Sequence, residues 1–235
     1  MDFTVPMALV DFIPVIFWGA AAIILQKDLY RLMPKGAYAL MACGQIDIMC
    51  AGGLKALYKL LYASGVCDFT LLNTLFFPLQ TLGFLFAGLG VLGFLQYKKG
   101  SYEDVKLKCS ALIPAGLILA SAVGTEAPKV FTGTMIFVTI MVLGMALVCI
   151  GLSYFAAKIR VKGATALFIL AFIFCLGMGY LSSKDFSQSY FNWIAECVNI
   201  CGQGCLLAGT LMIHRVVKEK PEEMEKYPDV EMDEG

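Results

Sequence analysis

Residues 189–213 read SYFNWIAECVNICGQGCLLAGTLMI. The run has no Lys or Arg and is long enough to cross a bilayer as a helix, which needs ~20 residues. One carboxyl, Glu196, and the amides Asn199 and Gln203 interrupt its interior. A helix turns ~100° per residue, so these three fall within about 60° of one another. Tyr190 and Trp193 continue the stripe towards the start of the run. Lipid satisfies neither a carboxylate nor an amide, so this face must turn towards other helices. The stretch therefore predicts a bundle.

The rest of the chain supplies that bundle. Of 235 residues, 59% are hydrophobic and 15% charged, where a soluble domain carries ~25% charged residues. Mean hydropathy is +0.77. Apolar runs occupy roughly 5–26, 37–63, 70–96, 110–124, 130–157, 164–182 and 189–213. Strand-like alternation is absent, which excludes a β-barrel. The expectation is an all-α, polytopic integral membrane protein with seven transmembrane helices over 1–216. A charged, Pro-interrupted tail over 217–235 is expected to be disordered and too short for an output domain. The first run has no basic flank before it and no small-residue cleavage site, so it reads as a retained span.

Net charge is zero, but the Lys and Arg residues are unevenly placed. Fourteen follow the odd-numbered spans, among them Lys27, Arg31, Lys35, Lys98, Lys158, Arg160, Lys162, Arg215 and Lys218. Only Lys129 and Lys184 lie on the opposite side. Cytoplasmic loops collect such residues. This predicts a cell-membrane protein with the N-terminus outside and the C-terminus in the cytoplasm. Of nine cysteines only Cys67 lies near an outer loop, which leaves no extracellular disulfide framework.

Two inner turns are alike: KGAYAL at 35–40 enters the second span and KGATAL at 162–167 enters the sixth. Leu85-Phe86-Ala87-Gly88 in the third span echoes Leu207-Ala208-Gly209 in the seventh. Together they suggest parallel repeats of three spans around a linking fourth, an arrangement found in some transporters. That three-plus-one-plus-three layout is similar to that of the SWEET and PQ-loop proteins. The Pro-Gln pair that names the latter is missing, since Leu79 separates Pro78 from Gln80. Microbial rhodopsins share the helix number and orientation, but the seventh span here lacks their retinal-binding Lys.

Three further spans offer partners for the polar face of the seventh. In the first, Asp11 and Trp18 are seven residues apart, with Pro14 between them. Proline lacks the N–H that would bond the carbonyl of Val10, leaving an acceptor beside Asp11. In the second, Asp47, Lys55, Tyr58, Lys59 and Tyr62 share an arc of about 120°. In the third, Asn73 and Gln80 share a face. By helical rise, Asp11, Lys55, Asn73 and Glu196 lie roughly 8–14 Å below the outer ends of their spans, and Asp47, Gln80 and Gln203 nearer the midplane. An unpaired charge at such depth costs ~3 kcal/mol or more. Lys55 and Lys59 are therefore expected to pair with Asp11 and Glu196, with Lys55 the foremost partner of Glu196 and Lys59 able to snorkel to the outer surface. The fourth to sixth spans add only hydroxyls, such as Thr132, Thr134, Thr139 and Tyr180. Amides also serve as interhelical glue worth ~0.6 kcal/mol each, so Gln80 or Gln203 alone would not mark a site.

Several chemistries are missing from the sequence. The single histidine, His214, sits at the inner end of the seventh span and is expected to face headgroups. Bis-histidine haem and multi-histidine metal sites are thereby excluded. Cys197, Cys201 and Cys205 recur every four residues and read as small packing residues rather than metal ligands. No nucleophile elbow, P-loop or zincin motif appears, so no cofactor, metal or catalytic residue is assigned. What remains is a transporter or permease-like protein for a small polar, zwitterionic solute. Its substrate-binding set is Asp11, Trp18, Lys55, Asn73, Gln80, Trp193, Glu196, Asn199 and Gln203. A seven-helix sensor using the same pocket is the alternative, and a lipid-modifying intramembrane enzyme the third reading. The expected partners are the bilayer and the solute, with a second copy of the chain or a cytoplasmic protein at the basic loops. Nothing recommends nucleic acid.

Overall fold

Two prolines set the shape of the outer end. Pro14 cannot donate to the carbonyl of Val10, and Pro78 cannot donate to that of Thr74. In each case the helix breaks three residues before the proline. The computed structural model, which describes residues 4–96, 130–181 and 189–219, divides there into α1 (Val5–Val10) and α2 (Phe12–Leu29), and into α4 (Thr70–Thr74) and α5 (Phe76–Gln96). The remaining helices are α3 (Lys35–Ala63), α6 (Val130–Lys158), α7 (Lys162–Leu181) and α8 (Ser189–Glu219). All secondary structure among the described residues is helical. Six helices are long and apolar enough to cross a membrane: Val5–Leu29, Lys35–Ala63, Thr70–Gln96, Ile136–Lys158, Lys162–Leu181 and Tyr190–Glu219. The expected span at 110–124 and the tail over 220–235 lie outside the described residues.

Helices α2, α3, α5, α6, α7 and α8 pack each on the next, and α8 closes the ring against α2. Four of the six seams are antiparallel. Val15 and Gly19 of α2 meet Gly52 and Met49 of α3, and Ser153 of α6 donates to the carbonyl of Thr165 on α7. Two seams are parallel. On α5 and α6, Thr81 donates to the carbonyl of Phe137, Phe84 abuts Gly144, Val91 abuts Gly151, and the rings of Phe94 and Phe155 stand 5.0 Å apart. On α2 and α8, Phe17 touches Gly204 and Asp28 reaches His214. Six crossings in simple alternation would return the chain to its starting face. Here α2 begins at one end of the bundle and α8 finishes at the other.

Small residues allow the helices to approach. A Cβ on Gly83 would lie 2.6 Å from Ile48 Cγ1, and one on Gly90 would lie 2.6 Å from the backbone nitrogen of Met41, so α3 and α5 meet backbone to backbone. Gly88 and Gly144 do the same between α5 and α6. Such contact stands in for a hydrophobic driving force that lipid does not supply. Around these seams Trp18, Met41, Phe84, Phe94, Met145, Phe155, Phe168 and Leu206 form one buried cluster.

The ends of the bundle differ in charge. Lys27, Arg31, Lys35, Lys158, Arg160, Lys162, Arg215 and Lys218 all stand at one end, where α2, α6 and α8 finish and α3 and α7 begin. The turn from α6 to α7 belongs to it. Val161 N–H bonds the carbonyl of Ala156 and Arg160 N–H that of Ala157, with Arg160 at φ 61°. This double bond pattern satisfies the last carbonyls of the helix.

Candidate functional site

At the opposite end, three helices bring ionisable groups together away from solvent. Asp11 lies where α1 breaks into α2, Lys59 one turn before the end of α3, and Glu196 about 10 Å into α8 by helical rise. Lys59 Nζ is 2.6 Å from Asp11 Oδ2 and 2.7 Å from Glu196 Oε1. The side chains are 7%, 9% and 7% exposed respectively for Lys59, Asp11 and Glu196, so the network is shielded from both lipid and water. With Glu196 the contact is a hydrogen bond donated by the ammonium. With Asp11 it is a close ion pair that lacks hydrogen-bond alignment, and Asp11 Oδ2 has no hydrogen-bond donor among the described residues. Glu196 Oε2, beside it, likewise has none.

Lys55 takes a different place from the one expected. Its ammonium sits 4.1 Å from the centroid of the Phe76 ring, at the start of α5. No ion pair joins it to Glu196 among the described residues; Lys59, one turn further out, forms that pair instead. The reason is reach. Lys59 lies on the part of α3 facing the α2–α8 seam, whereas Lys55 faces α5.

The other expected residues separate into two groups. Gln80 on α5 and Gln203 on α8 each bury a side-chain oxygen that has no donor among the described residues. Asn199 is half-buried between Glu196 and Gln203. Trp18 is buried, donating from Nε1 to the carbonyl of Gln45 at 3.1 Å and meeting Phe84 edge-on at 5.4 Å. It is a packing residue joining α2, α3 and α5. Asn73 on α4 and Trp193 on α8 are exposed, so neither stands with the buried triad. Cys197 and Cys201 are also exposed, on the outer face of α8.

Three features escaped the sequence reading. Asn192, one turn before Glu196, is buried on the same face. Gln26 donates to Gln45 Oε1 at 2.9 Å, placing an amide pair inside the α2–α3 seam. His214 does not point at headgroups. Its Nδ1 lies 2.9 Å from Asp28 Oδ1, tying α8 to α2 at the basic end. Asp28 follows Lys27 directly in the sequence, and the parallel α2–α8 contact brings it to the histidine.

No group of three metal-ligating residues occurs among the described residues. No family profile matches the chain, and no curated protein or solved structure is found to be similar to it.

Proposed function

We propose that this chain is a seven-span permease for a small polar solute, oriented with the Asp11–Lys59–Glu196 end outside the cell membrane. The observation that carries the reading is the buried triad itself. It joins α2, α3 and α8 at one end of the bundle, and the amide oxygens of Gln80 and Gln203, deeper in the bundle, are buried without a hydrogen-bond partner among the described residues. Ionisable groups at such a position are costly, and a buried ion pair adds little stability that apolar packing would not supply. A role in binding accounts for their presence.

The helix directions support the wider architecture. The α2–α3–α5 and α6–α7–α8 triplets have the same sequence of directions, meet along two parallel seams, and each have a middle helix opened by KGA (35–37 and 162–164). This is what a repeat of three spans produces. Because α5 and α6 are parallel, the chain leaves one at the basic end and enters the other at the triad end. An additional crossing between them, as the apolar run at 110–124 suggests, makes seven. The basic residues gathered at one end support the orientation.

A sensor using the same site is the second reading, favoured by the exposed basic residues Lys27, Arg31, Arg160 and Arg215, to which a cytoplasmic partner can dock. Proteoliposome uptake separates the two. A panel of amines, amino acids, sugars and carboxylates is assayed with wild type and Glu196→Gln. Accumulation of one class, reduced at least tenfold by Glu196→Gln, supports a permease. Binding of a solute with no uptake by correctly inserted protein supports the sensor.

A further inference from the structure

Most of the buried side-chain oxygens that lack a hydrogen bond can only accept one. Among the described residues Asp11 Oδ2, Glu196 Oε2, Gln80 Oε1, Gln203 Oε1 and Thr210 Oγ1 make no aligned hydrogen bond, though Asp11 Oδ2 keeps its ion pair with Lys59. The first four are carboxylate and amide oxygens, which only accept hydrogen bonds. A buried acceptor without a donor costs about 1–3 kcal/mol. A solute that completes this site must therefore bring N–H or O–H donors.

Charge narrows the choice. With Asp11 and Glu196 ionised, two carboxylates share the single ammonium of Lys59, so the three groups in contact carry one net negative charge. Lys55, the other cation nearby, lies against the face of Phe76. The chain thus seats two of its own primary ammonium groups here, one between carboxylates and one on an aromatic ring. Those are the two environments that recognise organic ammonium ions. Glu196 and Gln203 are seven residues apart on one face of α8, about 10 Å by helical rise. A second donor on the same solute would meet Gln203 at that distance.

We infer that the site takes a primary organic ammonium ion, with Glu196 and Asp11 as its anionic ligands and Lys59 as a tethered occupant that the ion displaces. This rests on the reading of the triad as a binding site, and it replaces a zwitterion with a cation as the solute.

The test measures the melting temperature of purified protein in nanodiscs against ethylammonium and 1,4-diaminobutane, with sodium, acetate and ethanol as comparators. Wild type is expected to rise in melting temperature with either amine and with none of the comparators. Lys59→Met, freed of the tethered competitor, should bind the amines at least fivefold more tightly, and Glu196→Gln and Asp11→Asn at least tenfold more weakly. Should Glu196→Gln fail to fold, Asp11→Asn and the wild-type titrations still decide the matter. Amine stabilisation of Lys59→Met with none of wild type would overturn the inference, because the mutation alone would have made the cavity. Equal stabilisation by sodium, or by all salts, overturns it as well. Amine binding with no uptake leaves this inference standing and removes the permease. Uptake of sugars or carboxylates with no amine binding does the reverse.

Discussion

Lys55 and Lys59 stand one turn apart on α3, yet only Lys59 reaches the carboxylates. Removing one partner of a buried pair costs about 3–5 kcal/mol because it strands the other charge. Lys59→Met strands two carboxylates, so it should be the most destabilising change at the site and lie at the upper end of that range. Glu196→Gln leaves Lys59 paired with Asp11 and should cost less. Lys55→Met forfeits a cation–π contact worth about 1–2 kcal/mol and should be mildest. Urea or thermal unfolding in one detergent gives this order, and a Lys55→Met variant less stable than Lys59→Met would contradict the geometry. The residues of the triad were legible in the sequence, since charge inside an apolar span demands a partner. Which lysine supplied it was not. Two positions within an arc of 120° differ in partner only through the rotation of α3 about its own axis, and packing against α5 sets that rotation.

At the level of elements, the helices were readable because apolar length and the two prolines leave little freedom. The seams were less so. Gly88 and Gly144 have no polar signal, and their pairing depends on α5 and α6 lying side by side in the same direction. A Cβ on Gly144 would lie 2.6 Å from the carbonyl oxygen of Phe84, a backbone atom that cannot rotate away. Gly144→Leu should therefore separate α5 from α6 and lower stability by about 3 kcal/mol or more, beyond the 1–3 typical of overpacking. Gly53, whose added Cβ would meet nothing within 4 Å, is the matched position. Gly53→Ala should leave the melting temperature within about 2 °C or raise it, since alanine favours a helix by up to ~1 kcal/mol. Equal losses at the two sites would deny the seam its role.

For the whole molecule, the membrane class follows from composition alone, while the ring closure by α8 against α2 depends on contacts nearly 200 residues apart. Short-range pattern carries no information about such closure. Orientation has a direct check in Cys67, which is exposed in the turn between α3 and α4 at the triad end. With the other cysteines replaced, a membrane-impermeant maleimide should label Cys67 on intact cells. An introduced cysteine at Arg160, at the basic end, should react only after permeabilisation. The reverse pattern would invert the bundle and place the triad towards the cytoplasm.

The two parallel seams have an electrical consequence for the bundle. Each helix carries roughly half a positive charge at its N-terminus and half a negative charge at its C-terminus. In a strictly alternating bundle these cancel between neighbours. Here α2, α5, α6 and α8 all start near the triad, and only α3 and α7 finish there. The described helices therefore sum to a transverse dipole, positive at the end that buries Asp11 and Glu196 and negative at the end ringed by Lys and Arg. At the basic end the side chains oppose the sign of the helix termini, while at the triad end Lys55 and Lys59 offset Asp11 and Glu196. The described helices are thus polarised along the long axis of the bundle.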